Sequence, residues 1–119
     1  MLLDSCILID FLAGREAARV YLAEVDGAAI SLVTWMEVVV GAANADEEAL
    51  VRGFLSAFAV LPVDGPVAEE AAVLRRTRRL KLPDAIIFAT ARVHGRSLAT
   101  RNTKDFHASD EGVIVPYQV

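Results

Sequence analysis

Residues 1–12, MLLDSCILIDFL, decide the fold of this chain: an apolar run ends at Asp4, and a segment with helical spacing follows it. Short apolar runs bounded by Gly, Asp or Pro are typical of buried strands. Four more such runs lie at residues 28–32, 59–63, 97–100 and 113–115. Segments with helical spacing separate them, at residues 7–13 with 16–25, then 34–42, 47–58, 66–80 and 83–94. The alternation predicts an α/β fold with a central parallel sheet of about five short strands, covered on both faces by helices.

The size and composition of the chain predict one globular domain over residues 1–119. The 119 residues leave room for a single core, and a hydrophobic fraction of 55% excludes a disordered chain. The apolar runs are too short for a bilayer span, and no basic flank precedes an apolar leader, so we expect no membrane association. The single cysteine, Cys6, cannot form an internal disulfide. A cytoplasmic location is therefore the default expectation.

The charge is distributed unevenly along the chain. The net charge is −4, which by itself argues against a nucleic-acid partner. Residues 75–104, however, carry a local charge of +8, and the remainder carries −12. A basic cluster commonly serves only to solvate a helix face, but it also suits the backbone of a polyanion. The residues that we expect to contact such a backbone are Arg75, Arg76, Arg79, Lys81, Arg101 and Lys104.

Four acidic residues lie at or near the ends of the predicted strands, where open parallel sheets form ligand sites. Each also has a structural alternative. Asp4 could cap the helix that follows it, and Asp84 could complement a helix dipole. Glu37 stands three residues after Thr34, the spacing of a capping box, and Asp105 could be an ordinary turn residue.

Together, the four acids favour a divalent-cation site. Carboxylates that share a pocket repel each other and raise each other's pKa values, and a hard cation relieves that repulsion. Mg²⁺ and Mn²⁺ prefer oxygen ligands and can activate water for the in-line cleavage of a phosphodiester. With a basic surface available for the backbone, the pattern indicates phosphodiester hydrolysis.

These residues carry a resemblance to a known family. In order along the chain they are Asp4 in LDSCILIDFL, Ser31, Thr34 and Glu37 in S-x-x-T-x-x-E, Asp84 in LPDAIIFATA, and Thr100, Asn102, Asp105 and Phe106 in T-x-N-x-x-D-F. Over essentially its whole length the chain resembles the PIN-domain ribonucleases, and among them the VapC-type toxins of toxin–antitoxin pairs.

The resemblance implies a Mg²⁺- or Mn²⁺-dependent endoribonuclease whose catalytic and metal-binding residues are Asp4, Glu37, Asp84 and Asp105. It assigns supporting roles to Ser5, Thr34 and Asn102. It further implies a VapB-type antitoxin as partner, RNA as substrate, product ends with a 3′-hydroxyl and a 5′-phosphate, and a homodimer. The chain departs from the usual D-T-N after the first strand: it has Asp4, Ser5 and Cys6, so the hydroxyl is kept and the amide is lost.

Other functions find less support in the sequence. A catalytically degenerate PIN domain that only binds RNA or a protein is the main alternative. A phosphoacceptor domain would use Asp64, but Ser5 stands where a second acid is needed. His94, His107 and Cys6 have neither the number nor the spacing of a zinc site, and the chain has no nucleophile elbow or glycine-rich phosphate loop.

Overall fold

The computed structural model of the chain describes residues 1–118. Within them the strands are β1 (Leu2–Leu3), β2 (Ala29–Ser31), β3 (Ala59–Leu61), β4 (Leu98–Ala99) and β5 (Val113–Ile114). The helices are α1 (Ser5–Leu12), α2 (Glu16–Glu24), α3 (Leu32–Val40), α4 (Ala45–Leu55), α5 (Gly65–Arg78) and α6 (Leu82–Val93). The predicted α/β class and the predicted order of elements are confirmed, with boundaries that shift by a few residues.

The strands form one parallel sheet in the order β3-β2-β1-β4-β5. The chain first builds outward from β1 to β3 and then returns to place β4 on the other side of β1. The strand order therefore reverses between β1 and β4. In open α/β sheets this reversal opens a crevice at the carboxyl ends of the two strands, where ligands bind.

Helices cover both faces of the sheet because side chains alternate across each strand. Leu2 belongs to an apolar cluster that includes Phe88 of α6, whereas Leu3 belongs to a second cluster that includes Leu55 of α4. Both leucines are fully buried. Two residues of β1 thus anchor both halves of the core, and this fixes the position of Asp4 directly after them.

β3 corrects the expectation that all five strands are buried. Ala59 and Val60 are exposed and Leu61 is half-buried. The physical reason is position: β3 is at the edge of the sheet and pairs only with β2. No helix within residues 1–118 is long and apolar enough to span a membrane.

Polar N-cap residues begin several of the helices that follow the strands. Asp4 accepts a hydrogen bond from the backbone N–H of Ser5 at the start of α1, and Ser31 accepts one from Val33 at the start of α3. Asp64, the residue considered as a phosphoacceptor, caps α5 by accepting from the N–H of Val67. Asp64 therefore has a structural role, whereas the carboxyl ends of β1 and β4 lie where open parallel sheets bind ligands.

Candidate active site

Asp4 directly follows β1, at the carboxyl ends of β1 and β4 where the strand order reverses. Its side chain is 3% exposed. Oδ1 accepts from the backbone N–H of Ser5 at 2.8 Å, and Oδ2 accepts from the hydroxyl of Thr100 at 2.7 Å. Burial raises the pKa of Asp4, and the hydrogen bonds from Thr100 and Ser5 oppose that rise. Asp4 both caps α1 and directs its carboxylate toward the residues that follow β4.

Asp84 lies within electrostatic range of the other three predicted acids. It is half-buried in the first turn of α6. The pKa of Asp84 is raised to about 6, first by burial and then by the charges of Asp4, Asp105 and Glu37, whereas Lys81 lowers it. The helix that ends before β4 therefore brings its N-terminal carboxylate within electrostatic range of the other three.

Glu37 approaches the same site from α3. The structure contradicts the capping-box alternative, because α3 begins at Leu32 with Ser31 as its N-cap, and Glu37 lies in the second turn. Glu37 is exposed, so its charge stays partly hydrated. Partial desolvation raises its pKa, a hydrogen bond with the Ser5 side chain lowers it, and the charge of Asp4 raises it again.

The segment after β4 supplies Asp105 and its support. The Asn102 side-chain amide donates to Asp105 Oδ2 at 3.0 Å, and the Asp105 backbone N–H donates to Asn102 Oδ1 at 3.4 Å. The Asn102 backbone N–H donates to the hydroxyl of Thr100 at 3.0 Å. Thr100 thus joins Asp4 on one side to the Asn102–Asp105 pair on the other.

The predicted supporting residues occupy different places. The Ser5 hydroxyl lies 3.5 Å from Asp4 Oδ1. Thr34 is fully buried, and within residues 1–118 its hydroxyl is the only buried side-chain polar atom without a hydrogen-bond partner. Cys6 is half-buried, with its Sγ 3.6 Å from both Asp4 Oδ2 and the Thr100 hydroxyl. The thiol thus contacts polar site atoms and also packs against the apolar cluster that contains Leu3.

The donor chemistry of the site suits a hard divalent cation, since carboxylate oxygens and hydroxyls are its ligands of choice. The mutual repulsion that raises the pKa of Asp84 is what a cation would relieve. Among residues 1–118, however, no three Asp, Glu, His or Cys side chains are grouped closely enough to hold one ion together. Mg²⁺ commonly takes one or two carboxylates and keeps several waters, so the residues fit a partly hydrated ion.

The basic residues predicted to contact RNA divide into two groups. Arg75, Arg76, Arg79, Lys81 and Lys104 are exposed. Arg79 ends α5 in the left-handed conformation (φ 55°), and Lys81 precedes α6, close enough to lower the pKa of Asp84. Arg101 differs, because its guanidinium is paired with the buried carboxylate of Asp10. The structure thus assigns Arg101 to an internal ion pair.

Sequence reasoning missed two residues near the site, Asp10 and Thr100. Thr100 was visible in the T-x-N-x-x-D-F motif but was not assigned a role. Asp10 is an isolated acid in the apolar run ILIDFL of α1. The argument that made Glu37 conspicuous, an acid among apolar neighbours that needs a cationic partner, applies to it equally.

The chain is similar to several known proteins. The sequence profile described as "PIN domain" matches residues 1–111. Ribonuclease VapC10 of Mycobacterium tuberculosis is 39% identical over 114 residues, which cover 89% of this chain and 85% of that protein.

Two solved structures share the fold over nearly their whole length. A toxin–antitoxin complex from Klebsiella pneumoniae contains a chain that superposes with a TM-score of 0.92 at 48% identity, covering 99% of this chain and 98% of the other. FitAcB from Neisseria gonorrhoeae gives a TM-score of 0.82 at 27% identity, covering 97% and 96%.

Proposed function

The chain belongs to the PIN-domain family, in its VapC-type branch, and on that premise we propose that it is the endoribonuclease toxin of a toxin–antitoxin pair, active with Mg²⁺ or Mn²⁺. The similarity to a VapC ribonuclease and to a chain of a toxin–antitoxin complex supports the class of activity. The proposal takes residues 1–119 as one PIN domain acting in the cytoplasm.

One observation carries the proposal: at the reversal point of the sheet Asp84 is half-buried, and its pKa is raised by that burial and by the charges of three other carboxylates. A purely structural domain gains nothing from placing Asp4, Glu37, Asp84 and Asp105 within range of one another, because their repulsion destabilises the fold. The same cluster is useful if it binds a cation together with a substrate phosphate.

In this proposal Asp4, Glu37, Asp84 and Asp105 would hold the ion, directly or through its waters. Ser5 and Thr100 keep the Asp4 carboxylate in place, and Asn102 does the same for Asp105. The bound ion supplies an activated water and charge balance for the leaving oxygen. If water attacks the phosphorus and the bond to the 3′ oxygen breaks, as the family resemblance implies, the products would carry a 3′-hydroxyl and a 5′-phosphate.

The exposed basic residues at the α5–α6 corner contribute the contacts to the RNA backbone. Arg75, Arg76, Arg79 and Lys81 follow one another in this corner, and Lys81 is close enough to Asp84 to influence its charge. Lys104 belongs to the segment that carries Asp105. Backbone contacts of this type give affinity without base specificity.

We propose a VapB-type antitoxin as the partner and a homodimer as the toxin's own assembly. An apolar groove of about 420 Å³ opens beside Glu37 and is lined in part by Ile9, Leu12 and Leu50. Glu37 and Glu47 lie at this groove, so a segment with an apolar face and an arginine complements it. That arginine would pair with the acidic site and compete with the metal.

The test is cleavage of an RNA substrate in Mg²⁺ or Mn²⁺ by the wild type, Asp4→Asn and Asp84→Asn. Each variant is expected to lose at least about a hundredfold in rate, because an amide cannot replace a charged ligand. Asp26→Asn is the matched control, since Asp26 is exposed and precedes β2, at the amino ends of the parallel strands and away from the acidic residues at their carboxyl ends. Equal cleavage by all four proteins, or cleavage undiminished by EDTA, would refute the proposal.

A second function is a PIN domain that binds RNA or a protein without cutting. The observation that favours it is the absence, within residues 1–118, of three closely grouped metal-ligating side chains. Titration calorimetry with Mn²⁺ separates the two: a catalytic site binds the ion and loses it in Asp4→Asn, whereas a binding module gives no heat of binding in either protein.

A further inference from the structure

The carboxylate of Asp10 is surrounded by donors from three parts of the chain. Its side chain is 3% exposed, although it belongs to the second turn of α1. Arg101 donates to it from both Nε and Nη2, the latter at 2.7 Å, and the hydroxyl of Tyr117 donates at 2.9 Å. Arg15 approaches from the solvent side at 3.3 Å.

The Asp10–Arg101 pair is a fixed contact because the carboxylate is buried and the guanidinium donates to both of its oxygens. A buried carboxylate without its cation loses several kcal/mol of interaction. The bidentate geometry of the guanidinium also restricts rotation of the Arg101 side chain. The hydroxyl of Tyr117 closes the remaining side of Asp10, so the C-terminal segment is fixed by the same carboxylate.

Arg101 stands between the two residues that organise the acidic site. Thr100, on one side, donates to Asp4 and accepts the backbone N–H of Asn102. Asn102, on the other side, holds Asp105. A displacement of Arg101 therefore moves the attachment points of two of the four carboxylates together.

We propose that Asp10 is a positioning residue: by holding Arg101, with the help of Tyr117, it fixes the segment from Thr100 to Asp105 and so sets the geometry of Asp4 and Asp105. The inference rests on the proposed nuclease function. It also assigns Arg101 to the support of the site, in place of contact with RNA.

The first experiment measures the segment itself, so that it does not depend on catalysis. Backbone hydrogen exchange is followed at Asn102 and Phe106, whose N–H groups donate to Thr100 Oγ1 and to the Asn102 carbonyl. Asp10→Asn and Arg101→Gln should raise both exchange rates at least about tenfold. Arg15→Ala is the matched control, because it removes a partner of Asp10 that is not part of the segment, and it should leave both rates within about twofold.

The second experiment measures Mn²⁺ affinity and cleavage in the same proteins. Loss of a group that orients metal ligands commonly reduces metal affinity or activity by about 10- to 100-fold. Asp10→Asn and Arg101→Gln should therefore raise the Kd for Mn²⁺ and lower kcat by that range, with KM for RNA changed less than about threefold. The double variant should have the same Kd for Mn²⁺ and the same kcat as either single variant, because the same Asp10–Arg101 contact is lost in all three.

Two results would overturn the inference. One is unchanged exchange and unchanged Mn²⁺ affinity in folded Asp10→Asn. The other is a higher KM in Arg101→Gln alone, which would make Arg101 an RNA contact. Tyr117→Phe, which removes one hydrogen bond, decides the matter if Asp10→Asn does not fold: it should raise the same exchange rates by at least about threefold. A wild type that neither cuts RNA nor binds Mn²⁺ would refute the nuclease proposal, yet leave the exchange result to decide the role of Asp10.

Discussion

At the scale of single residues, the site depends on polar groups that are buried with their partners. Asp4 is satisfied by Ser5 and Thr100, and Asp10 by Arg101 and Tyr117. Thr34 is the exception, because its buried hydroxyl has no partner within the described residues. Such contacts are worth more as constraints on geometry than as net stability, since each polar group also loses its water.

Asp10 should make the stability of the domain depend on acid pH. Arg101 lowers the pKa of Asp10 below its ordinary value. The contribution of the ion pair to the free energy of unfolding is therefore complete above the pKa of Asp10 in the unfolded chain, near 4. It disappears as the pH falls through the lower pKa of the folded protein. Asp10→Asn should thus reduce the free energy of unfolding by about 3 kcal/mol at pH 7. Urea unfolding should show this difference shrinking below pH 4; a constant difference down to pH 2.5 would contradict the ion pair.

Thr34 offers a test of an unpaired hydroxyl. Thr34→Val keeps the shape of the side chain and removes a buried polar group without a partner, so the domain should gain about 1 kcal/mol in urea unfolding. Thr90→Val is the matched control, since the buried Thr90 hydroxyl donates to the Ile86 carbonyl at 2.7 Å, and it should lose up to about 1 kcal/mol. Equal changes in the two variants would mean that the Thr34 hydroxyl is hydrogen-bonded in solution.

At the scale of elements, helix starts decide which carboxylates are free for chemistry. α3 begins at Leu32 because Ser31 caps it. This places Glu37 beyond the first turn, where no backbone N–H needs it, and its carboxylate is left to approach Asp4 and Asp84. At α1 the same group does both tasks, because one oxygen of Asp4 caps the helix and the other faces Thr100.

The choice between the two candidate caps of α3 can be measured. Ser31→Ala should lower the free energy of unfolding by about 1 kcal/mol, the usual effect of losing an N-cap. Glu37→Gln should change it by less than about 0.5 kcal/mol, because an exposed side chain outside a cap contributes little, although cleavage should fall. Thermal unfolding of both variants provides the comparison, and a larger loss in Glu37→Gln would restore the capping box.

The sequence predicted the helices and strands better than it predicted the burial and the contacts of their residues. Asp4 and Asp84 were found because strand ends and helix starts follow from local patterns. The cap of α3 was ambiguous because Ser31 and Thr34 stand one turn apart, and only packing decides between them. The exposure of β3 and the pairing of Asp10 with Arg101 depend on strand order and on contacts 91 positions apart, which no local pattern contains.

At the scale of the whole molecule, the charge is divided between an acidic crevice and a basic corner beside it. The net charge of −4 hides this division. Repulsion of RNA by the acidic crevice is local, and a bound cation reduces it, whereas the exposed bases of the α5–α6 corner act on the backbone over about a Debye length.

Salt dependence of RNA binding should identify the backbone contacts. In EDTA, where the RNA stays intact, the logarithm of the association constant should fall linearly with the logarithm of salt concentration. Replacing one basic residue that contacts the RNA backbone, as in Arg76→Gln, should reduce the magnitude of that slope by about 0.7 for single-stranded RNA. Arg19→Gln removes a basic residue that forms a salt bridge with Glu16 on α2, and it should leave the slope unchanged. An equal reduction in both would point to a general charge effect.

The hydrogen bond from Thr100 to Asp4 joins residues 96 positions apart, and β4 lies between β1 and β5. Asp4 leaves the ribosome first, but Thr100, Asn102 and Asp105 are nearly the last part of the domain to appear. A growing chain therefore carries Asp4 without its partner Thr100 until 96 further residues have been added. If the proposed cleavage needs all four carboxylates, it cannot begin before the segment from Thr100 to Asp105 has been made and has paired with Asp4.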